Sequence, residues 1–327
     1  MKALQCAAFG PVDDLALAEV AEPVAGPGEL VVAVRVAGVN FPDALMVQGK
    51  YQVKPALPFS PGLECAGVVV AVGPGVAGFK PGDRVAALPE FGAFAERVVV
   101  PARRAFPVPD GVDFATAAAF PLTYGTSWYG LVNCGRLAAG ENLLVLGASG
   151  GVGLAAVQIG KLLGARVIAA ASSPEKLQLC RSNGADELID YRREDLKTRV
   201  RELTGGRGAD VVFDPVGGEF TEAALRSCAW LGRLLVVGFA AGDIPKVPTN
   251  LVLLQGRSLV GVYWGGYGQH MHEDYRADMN ALLARLAAGE LKPWVSGSYP
   301  LAKGADALNA LLERRVTGKV VIDVSRG

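Results

Sequence analysis

The chain has 327 residues, and its 32 basic residues balance its 32 acidic residues. This balance excludes the basic surface of a nucleic-acid or anionic-membrane binder, and the length predicts two domains at about 100 to 200 residues each. The five cysteines show no C-x-x-C spacing, which favours reduced thiols and a cytoplasmic location. The most apolar window, residues 143–160, is interrupted by glycines, a serine and a glutamine, so no membrane span is predicted.

The predicted elements change character along the chain. Residues 1 to about 110 contain short β-branched runs separated by Gly and Pro turns, and these predict a barrel-like β domain. From Phe114 the chain becomes alanine-rich and helical. Strand-like and helix-like runs then alternate as NLLVLG, VGLAAVQIGKLLG, ARVIAAA, SPEKLQLCRSNG, DVVFDPVG, EFTEAALRSCAWLG and RLLVVGFAAG. This alternation predicts a doubly wound sheet of parallel strands.

The segment after about residue 261 predicts two amphipathic helices and a last strand, KVVIDV. It is too small to fold alone, so we expect it to pack on the β domain. The predicted α/β fold therefore combines a β domain of residues 1–121 and 262–327 with a doubly wound domain of residues 122–261.

The stretch NLLVLGASGGVG, residues 142–153, carries the main motif. It ends a strand, opens a helix and precedes a second strand within about 30 residues, as a dinucleotide fingerprint requires. Gly150 and Gly151 would let the backbone approach a pyrophosphate at the helix N-terminus, and Gly153 would allow close packing. Two alternatives remain open. Ser149 could be the nucleophile of a G-x-S-x-G hydrolase turn, or the glycines could form a packing turn that binds nothing.

The residues after the second strand favour NADPH over NADH. An NAD site places an acid about 20 residues after the glycines, but here Ala171 ends the strand and Ser172 and Ser173 follow it. No carboxylate is expected here to repel a 2′-phosphate. Lys176 stands one helical turn further on, and Tyr191 follows the next strand. Each hydrogen bond to the phosphate would contribute roughly 1.5 to 3 kcal/mol.

No metal site is predicted. Zinc requires converging Cys, His or carboxylate ligands, and the chain has no histidine before His270 and no clustered cysteines. His270 and His272 lie in GGYGQHMHEDY, which is expected to be an exposed loop. Many enzymes that oxidise an alcohol use zinc to help remove its proton. Since no zinc site is predicted, we expect metal-free hydride transfer to an acceptor that is already electron-poor.

Several stretches together resemble the zinc-independent quinone oxidoreductases, the zeta-crystallin-like branch of the medium-chain dehydrogenase/reductase superfamily. These stretches are GVNFPDALMVQGKY, PFSPGLECAGVVVAVGPGVAGFKPGDRV, LGASGGVGLAAVQIGKLLGARVIAAASSPEK, IDYRRED, DPVGG and TGKVV. AWLGRLLVVGFAAG and SLVGVYWGGY are similar to the quinone-oxidoreductase-like subgroup. The resemblance implies a GroES-like β-barrel domain and a Rossmann domain, with the active site in a cleft between them.

The resemblance also implies the site residues. Asn40 and Leu63 stand where zinc-dependent relatives have a ligand cysteine and a ligand histidine. The implied catalytic residues are Asn40, Asp43 and Tyr51. The residues implied to contact NADPH are Asn40, Thr126, Ser149, Gly150, Gly151, Val152, Ser172, Lys176, Tyr191, Gly217, Phe239, Ala240, Ala241, Tyr263, Trp264 and Lys319.

The expected activity is transfer of a hydride from NADPH to a quinone or a related conjugated carbonyl. Either Tyr51 or water would supply the proton. Reduction of an enone or an enoyl-thioester C=C is an alternative, and so is a crystallin-like protein that binds NADPH without turnover. A homodimer through edge strands around LVGVYW is expected from the resemblance. The sequence leaves open the physiological acceptor and the choice between dimer and tetramer.

Overall fold

A computed structural model describes residues 1–325 and divides the chain into two compact units. The first unit joins Met1–Leu122 to the chain from Leu283 onward, and the second is Thr123–Leu282. One unit is rich in antiparallel strands and the other is built on a parallel sheet, which confirms the expected α/β architecture. Within residues 1–325, no helix combines the length and apolarity that crossing a bilayer needs.

The N-terminal part of the first unit is mostly strand, as its β-branched runs predict. Its strands are β1 (Lys2–Gln5), β2 (Ala16–Glu19), β3 (Glu29–Gly38), β4 (Glu64–Val72), β5 (Arg84–Ala87), β6 (Arg97–Pro101) and β7 (Ala105–Pro107). Two short helices, α1 (Phe41–Val47) and α2 (Phe114–Ala118), accompany them. The long strand β3 pairs antiparallel with β4 and β6, and in the β3–β4 register Gly38 faces Glu64.

The second unit alternates strands and helices. Its strands are β8 (Asn142–Val145), β9 (Arg166–Ala171), β10 (Glu187–Asp190), β11 (Ala209–Asp214), β12 (Cys228–Val236) and β13 (Ser258–Gly261). Its helices are α3 (Pro121–Trp128), α4 (Gly151–Leu162), α5 (Pro174–Ser182), α6 (Leu196–Leu203), α7 (Glu219–Ser227), α8 (Asn250–Leu253), α9 (Trp264–His270) and α10 (His272–Ala287). A π-helical segment, Tyr129–Cys134, continues α3.

The six strands of this unit form one parallel sheet in the order β10-β9-β8-β11-β12-β13. The chain winds outward from β8 in one direction, then crosses to β11 and winds the other way. Strand order therefore reverses between β8 and β11. Ligands of doubly wound folds bind outside the carboxyl ends of the strands at such a reversal.

The C-terminal part returns to the first unit, as expected. It contains β14 (Val295–Pro300), α11 (Gly304–Leu312) and β15 (Lys319–Asp323). β15 pairs antiparallel with β3, so that Val321 faces Gly38. The last strand of the chain therefore lies beside the strand that leads into Asn40.

The return to the first unit comes later than the sequence suggests. The predicted boundary is residue 262, whereas the second unit extends to Leu282. The cause is aromatic packing within the second unit: Tyr267 stacks on Tyr129 with ring centroids 4.3 Å apart. The Tyr267 hydroxyl also donates to Asp278 at 2.8 Å.

Two local predictions are wrong. GGYGQHMHEDY is not a loop, because it is helical except at Met271, which separates α9 from α10. Tyr267 and Tyr275 in this stretch are buried. EFTEAALRSCAWLG is not one helix, because α7 ends at Ser227 and β12 begins at Cys228. Pairing with β11 decides this, and the register shift within that pairing accommodates Leu231 at φ 59°.

Candidate active site

The glycine turn lies where strand order reverses, between the end of β8 and the start of α4. Gly147 has φ 55°, and its carbonyl accepts a hydrogen bond from the Gly150 N–H at 3.0 Å. A Cβ at Gly153 would lie 2.3 Å from the Gly147 oxygen, so only glycine fits at this position. A Cβ at Gly150 would meet only that oxygen, at 3.4 Å. Gly153 therefore serves the packing, whereas Gly150 keeps one side of the turn open.

The turn fits a pyrophosphate group. Gly150 is the N-cap of α4 and offers no side chain to satisfy the helix end. The first-turn amides of an α-helix have no partner within the helix, and together with the helix dipole they favour an anion. An approaching phosphate would thus meet backbone N–H groups from Gly151 onward rather than side chains.

The geometry of Ser149 disfavours the hydrolase alternative. A nucleophile elbow holds its serine exposed on a strained backbone. Ser149 is buried and is not among the residues with positive φ. Across residues 1–325, neither histidine forms a hydrogen bond with it.

The second strand, β9, ends where the sequence predicts the adenosine ribose. The Ser173 hydroxyl caps α5 by accepting the Lys176 N–H at 3.4 Å, and Ser172 lies half-buried beside it. Tyr191 follows β10 and packs on Phe220, with ring centroids 4.9 Å apart. The structure therefore brings the predicted serines and Lys176 together at the start of α5.

β9 ends at Ala171 without an acid, but two carboxylates stand further along the chain. Glu175 lies in the first turn of α5, and hydrogen bonds from its own backbone and from the Ser173 side chain lower its pKa. Asp190 ends β10, directly opposite Ala171 in the β9 register. The Asp190 carboxylate accepts from the Arg192 backbone N–H and lies 3.6 Å from the Arg193 guanidinium. Acids and bases are therefore mixed at this edge.

Two loops after β11 and β12 bring Gly217 and Phe239 together. A Cβ at Gly217, which has φ 70°, would lie 2.9 Å from the Phe239 ring. The Ala240 and Ala241 N–H groups donate to the carbonyls of Pro215 and Val216. Buried Asp214, which the sequence reasoning missed, holds the first loop by accepting from the Gly217 N–H and from the Thr221 hydroxyl.

The predicted aromatic residues lie against α3. A Cβ at Gly125 would be 2.3 Å from Cζ2 of Trp264, so the indole rests directly on the helix backbone next to Thr126. Tyr263 precedes it and is 54% exposed. The Trp264 indole therefore lies beside the residue that precedes Thr126, and a ligand shared by Trp264 and Thr126 stays a prediction.

In the first unit, Asn40 is the centre of a buried polar network. Its backbone N–H donates to Asp43 Oδ2 at 2.7 Å and so caps α1. Its side-chain Nδ2 donates to Glu64 Oε1 at 2.8 Å, and its Oδ1 accepts from Lys319 Nζ at 2.6 Å. The predicted residues Asn40, Asp43 and Lys319 thus converge, and all three are buried.

Glu64 is the network member that the sequence reasoning missed. It is fully buried and also accepts the Leu122 backbone N–H at 3.0 Å. Its carboxylate has room only because Gly38 lacks a side chain: a Cβ there would lie 2.4 Å from Glu64 Oε1. The available signal was a lone acid opening the apolar strand ECAGVVVAV.

Lys319 provides the positive charge of this network. Its ammonium donates to Glu64 Oε1 at 2.6 Å, to Asn40 Oδ1 at 2.6 Å and to the Val39 carbonyl at 2.8 Å. These three acceptors match the three N–H groups of an ammonium. The structure therefore shows Lys319 saturated within the first unit.

Asp43 is buried without a full set of partners. Its Oδ1 has no hydrogen-bond partner in the described chain. Burial raises the pKa of the Asp43 carboxyl to about 7, against the opposing effects of the Asn40 N–H and the Lys319 ammonium. Because no part of Asp43 is exposed, it can influence a ligand only through its neighbours.

Tyr51 is the third residue implied to be catalytic. It is half-buried and packs on the hydrophobic core of the first unit, as does Val53. Its contact with a substrate remains a prediction.

The described residues do not fit a metal ion. No three His, Cys, Asp or Glu side chains converge anywhere in residues 1–325. Around Asn40, the Lys319 ammonium already donates to the Val39 carbonyl, to Asn40 Oδ1 and to Glu64 Oε1. This ammonium reduces the number of oxygen atoms that are open to a metal ion.

Comparison with known proteins agrees with this arrangement. Residues 26–110 match the model of the alcohol dehydrogenase GroES-like domain, and residues 151–285 match that of the zinc-binding dehydrogenase. The quinone oxidoreductase-like protein 2 homolog of Nematostella vectensis is 41% identical over 92% of this chain and 83% of its own length. The quinone oxidoreductase of Pseudomonas aeruginosa is 37% identical over 98% of this chain and 99% of its own.

A solved structure supports the same relationship. Escherichia coli quinone oxidoreductase complexed with NADPH superimposes with a TM-score of 0.94 at 30% identity, covering 99% of this chain and 100% of the other. The fold and both domain matches define a medium-chain dehydrogenase/reductase. Within that superfamily, the chain belongs to the quinone oxidoreductase branch.

Proposed function

We propose that this protein is a metal-free, NADPH-dependent oxidoreductase that reduces a quinone or a related conjugated carbonyl. The observation that carries the proposal is the turn from Gly147 to Gly153, which presents unsatisfied helix amides at the reversal of a parallel sheet. The superimposable E. coli enzyme was solved with NADPH, and this supports the same cofactor here.

Preference for NADPH over NADH rests on the start of α5. Ala171 ends β9 without the acid that would bind a ribose 2′-hydroxyl, and Ser172 and Lys176 supply donors for a phosphate. Glu175 and Asp190 oppose this preference, but Arg193 lies beside Asp190 and offsets part of its charge. We therefore expect a marked but finite selectivity.

The metal-free part of the proposal rests on Lys319, because its ammonium already binds three of the oxygen atoms around Asn40. When bound, NADPH supplies a hydride, and an acceptor that is already electron-poor needs no Lewis acid to receive it. We expect Asn40 to orient the carbonyl, because one of its two amide hydrogens bonds Glu64 and the other has no partner in residues 1–325. Delivery of the final proton falls to Tyr51 or to water.

The first experiment is a calorimetric comparison of NADPH and NADH binding, followed by an acceptor screen that offers a quinone and an enone side by side. NADPH bound at least about tenfold more tightly, with turnover of the quinone, supports the proposal. Turnover of the enone alone favours the C=C reductase. Binding of NADPH without turnover of any acceptor favours a crystallin-like role.

We also propose a homodimer formed through β13. This strand lies at the edge of the six-stranded sheet and pairs only with β12 within the described chain. Leu259 on β13 is 40% exposed, and nearby Trp230 and Leu231 are 66% and 60% exposed. An open strand edge beside exposed apolar side chains favours pairing with a second copy.

A further inference from the structure

The carboxamide of Asn40 has two hydrogen-bonding ends, and both are fixed by ions. Oδ1 faces the Lys319 ammonium at 2.6 Å, and Nδ2 faces the Glu64 carboxylate at 2.8 Å. Rotating the amide by half a turn would direct its NH₂ group at the ammonium and its oxygen at the carboxylate. Both new contacts would be repulsive, so the two ions select one orientation.

The two ions are themselves held in place. Glu64 Oε1 accepts from both Asn40 and Lys319, while its other oxygen is held by the Leu122 N–H. The third N–H of Lys319 donates to the Val39 carbonyl. Glu64 is fully buried and Lys319 is 5% exposed. Water therefore cannot replace their hydrogen bonds, and neither side chain can turn away from the other without leaving a buried charge unpaired. The arrangement is preorganised rather than adjustable.

We propose that Glu64 and Lys319 are positioning residues that lock Asn40, so that its second amide N–H donates to the carbonyl oxygen of the acceptor. This inference rests on the proposed function and extends it by naming the group that meets the substrate oxygen. Asn40 gives a hydrogen bond and no proton, so the final proton still comes from Tyr51 or water. The donor becomes more effective as the oxygen gains negative charge during reduction.

This arrangement limits the substrate class. A locked N–H donor next to a buried carboxylate favours an acceptor with an exposed carbonyl oxygen, as in quinones and enones. The Lys319 ammonium lies beside Glu64, so the pair adds no net charge next to this donor. The chemistry therefore favours conjugated carbonyls.

The test is a double-mutant cycle with Asn40→Ala and Lys319→Met, measured at saturating NADPH with one fixed quinone. We expect Asn40→Ala to lower kcat on the order of 10²-fold, as for other lost oxyanion donors, and Lys319→Met to lower it at least about tenfold. If Lys319 acts only through Asn40, the double variant is no slower than Asn40→Ala alone, within about twofold. The loss should fall on kcat rather than on KM.

A second variant covers the case in which Lys319→Met fails to fold. Glu64→Gln keeps the size of the side chain and one acceptor oxygen, and its loss of kcat should also vanish in the Asn40→Ala background. Lys303→Met removes an exposed lysine of the same unit and serves as the control. The positioning role is overturned if the losses of kcat in the two single variants multiply in the double variant. It is also overturned if the losses are confined to KM or to the Kd of NADPH, and in both cases the proposed function stands. A wild-type protein without turnover overturns both.

Discussion

Lys319 Nζ lies 2.6 Å from Glu64 Oε1, although the two residues are 255 positions apart in the chain. Both are buried, and they are the oppositely charged members of the Asn40 network. Such a pair stabilises only when its geometry and its other hydrogen bonds are good, and losing one partner leaves a buried charge.

Removing Lys319 should therefore destabilise the protein more than removing the whole pair. We expect Lys319→Met to lower the free energy of unfolding by about 3 to 5 kcal/mol, because it leaves Glu64 uncompensated. Adding Glu64→Gln to that variant should recover part of the loss. Urea denaturation of the three proteins tests this, and a double variant less stable than Lys319→Met would contradict it.

Asp43 should make stability depend on pH. The pKa of its carboxyl is raised to about 7 in the folded protein, against 3.8 for an ordinary aspartate. Between these values the folded state holds a proton that the unfolded chain releases, so this contribution to stability is complete below about pH 4 and is lost as pH rises towards 7. The loss approaches about 1.4 kcal/mol per pH unit.

The matching variant is Asp43→Asn, which cannot titrate. Its unfolding free energy should fall less between pH 4.5 and 7 than that of the wild type, on the order of 1 kcal/mol per pH unit less. Denaturation curves at several pH values measure both slopes. Parallel slopes would show that Asp43 is ionised throughout.

Two substitutions in the glycine turn should separate stability from NADPH binding. Gly153→Ala places a Cβ 2.3 Å from the Gly147 oxygen and should cost about 1 to 3 kcal/mol of stability. Gly150→Ala meets nothing closer than 3.4 Å and should retain its melting temperature. It should nevertheless weaken NADPH binding about tenfold, since the new methyl group faces the pyrophosphate. Unchanged affinity in a folded Gly150→Ala protein would favour a turn that binds nothing.

Lys176→Met should reduce selectivity between the two nicotinamide cofactors. We expect about a tenfold weaker Kd for NADPH, because one charged hydrogen bond to the 2′-phosphate is lost, and no change for NADH. Arg181→Met removes a cation from the opposite end of α5, where it donates to the Asp186 carbonyl, and serves as the control. An equal loss for both cofactors would indicate that Lys176 supports the helix instead.

Leu259→Lys tests the proposed dimer. The substitution places a charge on the open edge of β13, where the partner strand would bring an identical charge close to it. We expect the molar mass measured by light scattering to halve while the melting curve keeps a single transition. A mass that stays dimeric would place the interface elsewhere.

The sequence predicts features that depend on neighbouring residues. The glycine turn, the Ser173 cap and the parallel sheet all follow from local spacing and are present in the structure. The helix break at Cys228 could not be predicted locally, because pairing with β11 decides it. The ordered segment around Tyr267 likewise depends on a distant partner, Tyr129.

The candidate site divides in the same way. Asn40 and Asp43 are three residues apart, and the resemblance of the stretch around them to the zinc-independent family implied both. Glu64 was missed because its importance arises only where β3, β4 and β15 meet. Lys319 was expected near a cofactor, whereas its observed partners are Val39, Asn40 and Glu64. A single sequence cannot show which acid a distant lysine will meet.

The discontinuity of the first unit has a consequence for biosynthesis. Glu64 leaves the ribosome early, but its counter-ion on β15 follows only after the whole second unit has been translated. Until then the Glu64 carboxylate has no counter-ion and stays hydrated, so the first unit cannot close around it. The second unit, which is continuous in the chain, can fold before the first unit is complete.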